Sequence, residues 1–178
     1  MPQLLLLRHA KSSWASPTTG DHDRPLTTRG VRAAAQLGIY LDDHALTPDL
    51  ILTSSATRAR QTVAGVVEGL ATPREVQVEV QVIDALYNAS LPRLLEIIAR
   101  QGAGATMLLV VGHNPSIAQA ALHFAAGQGG AALTRLSQKY PTAALAQFDT
   151  GTANPGEFDI SAMRLVSFTT PADREKQE

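Results

Sequence analysis

Apolar positions along this chain fall into short blocks of two alternating kinds. Residues 3–8 read Gln-Leu-Leu-Leu-Leu-Arg, a continuous apolar run of strand length, as expected for a strand buried on both faces. Residues 10–27 are polar and rich in Ser, Thr, Pro and Asp, a long loop of the sort that often carries function in a compact domain. Over 28–43, Val31, Ala34, Ala35, Leu37, Gly38 and Leu41 recur with a period near 3.6 and predict a helix. A second strand is expected at 50–53 and a second helix at 57–70. Residues 76–83 alternate Val76, Val78, Val80 and Val82 with polar positions, which predicts a third strand. Residues 91–100 read as a helix with Pro92 in its first turn, where a missing N–H costs little. An apolar strand at 106–111 and a helix at 115–126 follow, then a glycine break at 127–130. The last strands are expected at 143–148 and 163–169, and residues 171–178 read as a disordered polar tail.

Strands alternating with helices predict one α/β domain over 1–170, a three-layer α/β/α sandwich with a mostly parallel central sheet. Such sheets bind ligands at the carboxyl ends of their strands. Composition narrows the function. The chain has 178 residues, 44% of them hydrophobic, enough for one sizeable core. A net charge of −1 with no basic stripe argues against general binding of nucleic acid or an anionic membrane. The absence of cysteine excludes disulfides, a thiol nucleophile and thiolate metal sites. The N-terminal leucine run is too short for a signal peptide, and no stretch approaches a membrane span. A soluble, cytoplasmic protein is expected. The sequence carries no signal of oligomeric state.

Three expected strand ends look alike. The first delivers Arg8 and His9, the second runs into "TSSATRARQT" at 53–62, and the late apolar strand runs into "VGHNPS" at 111–116. Ser55 is positioned to cap the second helix, with Arg58 in its first turn and Gln61 and Thr62 along the same face. Gly112 permits a tight turn, Pro115 suits a first helical position, and His113 precedes a helix N-terminus, which favours anions. Two arginines and two histidines at one sheet edge call for an anion, and a phosphoryl group suits the bidentate guanidinium fork. A neutral imidazole can attack phosphorus and split the transfer into two steps. The remaining cations offset charge on the equatorial oxygens, so the scheme needs no metal or cofactor. Only "DHD" at 21–23 has anything near metal-ligand spacing. Ser12 is a second phosphate donor or a turn serine. Arg24, Arg29 and Arg32 read as a solvated face, Trp14 as packing for the loop, and His22, His44 and His123 as bystanders.

These blocks resemble the histidine phosphatase, or phosphoglycerate mutase-like, superfamily. "LLLLRHAKSSW" is similar to its Arg-His-Gly signature, and "RPLTTRG" at 24–30 to its turn into the first helix. "SSATRARQT" and "GHNP" resemble its arginine and second-histidine segments. The short phosphohistidine phosphatase SixA-like group is the most similar branch. The resemblance implies a phosphoglycerate mutase-like fold, His9 as the phosphorylated nucleophile, and Arg8, Arg58 and His113 completing the phosphate pocket. The chain departs from the pattern at Ala10, where many relatives have glycine, and at Ala15, where mutase-like members place asparagine. It also lacks the family's acid-donating glutamate: "VIDALYNAS" at 82–90 offers only Asp84, with Asp21 and Asp23 in the loop as rivals. An alkoxide leaves badly unless protonated, whereas a phosphoramidate is less demanding, so the missing acid favours an N–P substrate. Residues 63–105 leave no room for a lid insertion, which suits a phosphorylated protein side chain. The expected activity is a metal-independent phosphatase with a phosphohistidine intermediate, acting on protein phosphohistidine. The alternatives are a small-molecule phosphomonoesterase and a non-catalytic phosphate-binding module.

Overall fold

Period-two alternation within the apolar strands splits the core into two layers. Leu4 and Leu6 of β1 (Gln3–Arg8) face one side of the sheet with Leu50, Leu52, Leu108 and Val110. Leu5 and Leu7 face the other with Ile51, Leu109 and Val111. All four β1 leucines are fully buried, and each such burial contributes roughly 1.5–3 kcal/mol. The computed structural model describes residues 1–14, 20–70, 78–150 and 160–176.

Further strands are β2 (Leu50–Ser54), β3 (Glu79–Ile83), β4 (Met107–Gly112), β5 (Leu145–Asp149) and β6 (Arg164–Thr169). The sheet order is β3-β2-β4-β1-β5-β6. The first four strands are mutually parallel, and β5 and β6 extend the sheet antiparallel. Two helices, α1 (Thr28–Asp43) and α2 (Thr57–Gly69), pack Leu37, Leu41, Ala59, Val63 and Val66 onto one face. On the other face lie α3 (Leu91–Gln101), α4 (Ser116–Phe124) and α5 (Ala131–Gln138), burying Leu94, Ile98, Ile117, Phe124 and Leu136. The three-layer α/β/α sandwich with a mostly parallel sheet is therefore present. No described helix is long and apolar enough to cross a membrane.

Two glycine contacts bring α1 and α2 together. A Cβ on Gly38 would lie 2.2 Å from the Val66 carbonyl oxygen, and one on Gly69 2.3 Å from that of Ala35. Only glycine lets these backbones approach so closely.

The expected third strand is present as β3, an edge strand whose Val80 and Val82 are exposed. Other expectations need correcting. Val76 lies outside the described residues. α5 has no counterpart in the periodicity, because Leu136 is its one buried residue. The polar tail is not disordered throughout. Pro171–Arg174 forms a short helix, α6, with Arg174 buried and donating to the Ala143 carbonyl at 2.5 Å and to Thr169 Oγ1 at 3.1 Å.

Candidate active site

Arg8 and His9 sit where β1 leaves the core beside β4. The His9 N–H donates to the Gly112 carbonyl at 3.0 Å, so pairing with β4 continues through the histidine. The next N–H, of Ala10, donates to Thr62 Oγ1 at 3.0 Å, and that hydroxyl donates to the Arg58 carbonyl at 2.6 Å. A buried threonine thus ties the end of β1 to the first turn of α2. The α1 N-terminus closes the other side: a Cβ on Gly30 would lie 2.2 Å from the Lys11 carbonyl oxygen. The "RPLTTRG" glycine therefore lets the helix seat directly on the chain leaving the site.

His9 is 7% exposed, and its Nδ1 lies 2.8 Å from the Ala10 carbonyl oxygen. A carbonyl only accepts, so Nδ1 carries the proton and Nε2 presents a lone pair. Arg58 donates to that lone pair through Nε at 3.3 Å. Burial pushes the imidazole down to about 4, against the opposing pull of the Ala10 carbonyl, with Arg58, Arg8 and Arg24 pushing the same way as burial. His9 is neutral at pH 7. His113 follows β4 with its ring centroid 5.0 Å from that of His9. Its Nε2 is 2.8 Å from Ser54 Oγ. Burial, then the neighbouring His9 and Arg58, hold it down to about 3.

Two buried polar atoms here have no protein partner, His113 Nδ1 and Arg8 Nε. An unsatisfied buried polar group costs about 1–3 kcal/mol, so a site that keeps two is built for something that satisfies them. Arg8 is anchored by NH1 donating to the Tyr140 carbonyl at 2.8 Å, and burial lowers its pKa. Tyr140, absent from the sequence reading, is itself buried and donates its hydroxyl to the Leu6 carbonyl at 2.6 Å. The structure therefore gathers all four predicted residues, Arg8, His9, Arg58 and His113, at one sheet edge.

A cleft of about 410 Å³ opens over Arg58 and His113, lined also by Asp21, Tyr87, Asn88 and Asn114. Asp84 is not among its walls; it is exposed at the start of a 3-10 turn, Asp84–Leu86. The carboxylate that reaches the cleft is Asp21, from the turn Asp21–Asp23. Arg58 donates through NH2 to Asp21 Oδ2 at 3.0 Å and through NH1 to the Asp21 carbonyl at 2.5 Å. The Tyr87 hydroxyl donates to Oδ2 at 2.7 Å, and Arg24 NH1 to Oδ1 at 2.7 Å. The Tyr87 hydrogen bond leads, and with Arg58 and Arg24 it holds Asp21 down to about 2, against a smaller opposing effect of burial.

Arg24 is not a solvated surface charge. It is buried, donates to Ser12 Oγ and to the Ser13 carbonyl, and stacks under Trp14 with 3.4 Å to the ring centroid. Ser12 is thus committed as an acceptor for Arg24. His22 is no bystander either: its Nε2 is 3.1 Å from Ser55 Oγ, and its ring meets Tyr87 edge-on at 4.8 Å. Ser55 is not the cap of α2; the N-cap residue is Ala56, whose N–H donates to Ser54 Oγ at 3.3 Å. Ala15 lies outside the described residues. Among the described residues no three metal-ligating side chains come together.

A family model of the histidine phosphatase superfamily (branch 1) matches residues 4–89. The chain is 39% identical over 142 residues to an uncharacterized Mycobacterium tuberculosis protein, covering 79% of this chain and 84% of that one. It is 31% identical to an Agrobacterium tumefaciens protein provisionally assigned as phosphohistidine phosphatase SixA, with a TM-score of 0.78 over 96% of this chain and 99% of that one. A Nakamurella multipartitia protein with the same provisional assignment is 30% identical, with a TM-score of 0.75 over 96% of each chain. The chain belongs to the histidine phosphatase superfamily and is a phosphatase.

Proposed function

We propose that the protein is a protein phosphohistidine phosphatase, working without a metal through a phosphorylated His9. The observation that carries this reading is the state of His9. Its Nδ1 proton is held by the Ala10 carbonyl, and its Nε2 lone pair faces Arg58 Nε at 3.3 Å. That is the protonation state a nitrogen nucleophile needs, and it requires no proton abstraction before attack.

In the first step a bond forms between Nε2 and phosphorus while the bond to the leaving group breaks, its electron pair departing with the leaving atom. As the phosphoryl group arrives, Arg58 Nε transfers its hydrogen bond from Nε2 to a phosphoryl oxygen. Arg8 Nε and His113 Nδ1, both buried without partners, are further candidates to meet the equatorial oxygens. In the second step water attacks phospho-His9, releasing inorganic phosphate and restoring the imidazole. The provisional assignment of the Agrobacterium and Nakamurella relatives supports a phosphohistidine substrate, as does the lowered pKa of Asp21, the one carboxyl that lines the cleft among the described residues.

Rapid acid quench with a labelled phosphohistidine peptide tests this. The expected result is an acid-labile, base-stable phosphoenzyme, lost in His9→Ala together with turnover. Full activity in His9→Ala would overturn the mechanism. Binding of the peptide without release of phosphate would replace the enzyme reading with that of a phosphate-binding module.

A further inference from the structure

Asp21 lines the cleft over Arg58 and His113, and its carboxylate is bound by Arg58, the residue that meets His9 Nε2. In-line displacement puts the leaving atom on the far side of phosphorus from the attacking His9 Nε2. The open space beside Arg58 is the cleft it shares with His113, and among the described residues the one carboxylate lining it is that of Asp21. This side chain is 47% exposed, although three donors hold it: Arg24 on Oδ1, Arg58 and Tyr87 on Oδ2. A carboxylate has about four lone-pair sites, so one acceptor position stays open. The ring of Tyr87 stands edge-on to both His113 at 5.6 Å and His22 at 4.8 Å, giving the cleft an aromatic wall.

We infer that Asp21 is a specificity residue that accepts a hydrogen bond from the protonated distal ring nitrogen of a phosphohistidine substrate, selecting a cationic phosphorylated ring that departs as neutral imidazole. This rests on the phospho-His9 reading above. The chemistry balances without any proton from the enzyme. The P–N bond breaks, its electron pair stays on the leaving nitrogen, the phosphoryl group passes to His9 Nε2, and the distal nitrogen keeps its proton. The product is neutral imidazole. A fixed anion beside that N–H favours the cationic ring and so the better leaving group. The same anion does nothing for an alkyl phosphate, whose alkoxide needs a proton that an ionised carboxylate does not have. The feature that makes Asp21 a poor general acid therefore makes it a good receiver for a cation.

The test compares wild type and Asp21→Asn on a phosphohistidine peptide and on p-nitrophenyl phosphate, whose leaving group carries no positive charge. Asp21 also steadies Arg58, so kcat/KM falls on both substrates. The inference expects the fall on phosphohistidine to be at least tenfold greater. Equal losses on the two substrates would make Asp21 a positioning residue for Arg58 only and overturn the inference. A second readout is the alkaline limb of kcat for phosphohistidine, which reports deprotonation of the bound substrate ring. The charged and titratable groups around it are Asp21, His22, Asp23 and Arg24 from the turn, Arg58 from α2, Tyr87, and His113 after β4. The limb is expected to move to lower pH by about one unit in Asp21→Asn, and an unmoved limb would overturn the inference. Failure of wild type to form any phosphoenzyme from the phosphohistidine peptide would instead overturn the His9 reading, and this one with it.

Discussion

Keeping two histidines buried and neutral at one edge should make folding stability depend on pH well above the usual acid range. In the unfolded chain each imidazole titrates near 6.5. In the folded chain His9 is held down to about 4 and His113 to about 3, each 7% exposed and each with burial as the leading cause. Between these values the unfolded state binds protons that the folded state refuses, so stability is complete above pH 6.5 and falls as the pH is lowered. At pH 5 both folded rings are still neutral, so their mutual repulsion does not enter and the two contributions add. Each amounts to about 2 kcal/mol relative to pH 7, about 4 kcal/mol together. That is a large part of the roughly 5–15 kcal/mol of a typical domain. The depressed Asp21 pKa, which runs from 3.8 down to about 2, acts only below this window. Urea unfolding at pH 7 and pH 5 measures the difference directly. The pH-dependent part should drop by about half in His9→Ala and further in His9→Ala/His113→Ala, whatever those variants cost in absolute stability. A wild type losing under about 1 kcal/mol, or a double variant keeping the full loss, would refute the reasoning.

Other consequences follow from the same contacts. The acid limb of kcat/KM should lie near pH 4 rather than 6.5, with activity present above it and lost as His9 protonates; a pH–rate profile of the free enzyme checks this. Thr62→Val removes the buried hydroxyl joining the Ala10 N–H to the Arg58 carbonyl, and should cost about 1–3 kcal/mol in denaturant melts, with kcat falling as Arg58 loses register with His9. Asp84→Asn, at an exposed position outside the cleft, should stay within about 0.5 kcal/mol of wild type in stability, with phosphohistidine turnover unchanged.

Much of the fold was legible because the strands that build it are extreme. Four successive leucines ending on Arg8 and His9 can only be a buried strand meeting a polar edge, and β1 runs over the predicted residues. α1 was equally plain, since its apolar positions keep helical period and Thr27 caps it through the Gly30 N–H. The valines of β3 correctly marked a strand, but alternation does not report what covers it, and at the sheet edge Val80 and Val82 are exposed. α5 and α6 were missed because each buries a single side chain, Leu136 and Arg174, too few to leave a period. An arginine as the buried residue of a polar tail runs against the usual reading of composition.

The cluster of Arg8, His9, Arg58 and His113 was readable and the contacts that bring Asp21 to it were not, for one physical reason. Arg8, His9, Arg58 and His113 each follow directly from a strand end, so sheet topology alone brings them together. Asp21 reaches Arg58 only because a chain of individual contacts folds the loop back: Trp14 stacks on Arg24, Arg24 grips Ser12 and Asp21, and Tyr87 closes from the opposite turn. None of these partners has a fixed sequence spacing that a pattern could expose. The sequence offers Asp84 first, with Asp21 and Asp23 as rivals; Asp84 lies outside the cleft although the segment after it supplies a wall, and Asp21 is the carboxylate that lines it. What stands on that wall is Tyr87, a donor to the carboxylate, and the carboxylate itself arrives from the loop after β1. Because Tyr87, Arg58 and Arg24 all donate to it, the carboxylate is held down to about 2 and has no proton to give at neutral pH. An ionised carboxylate at this position suits the proposed phosphohistidine substrate, whose leaving ring brings its own proton.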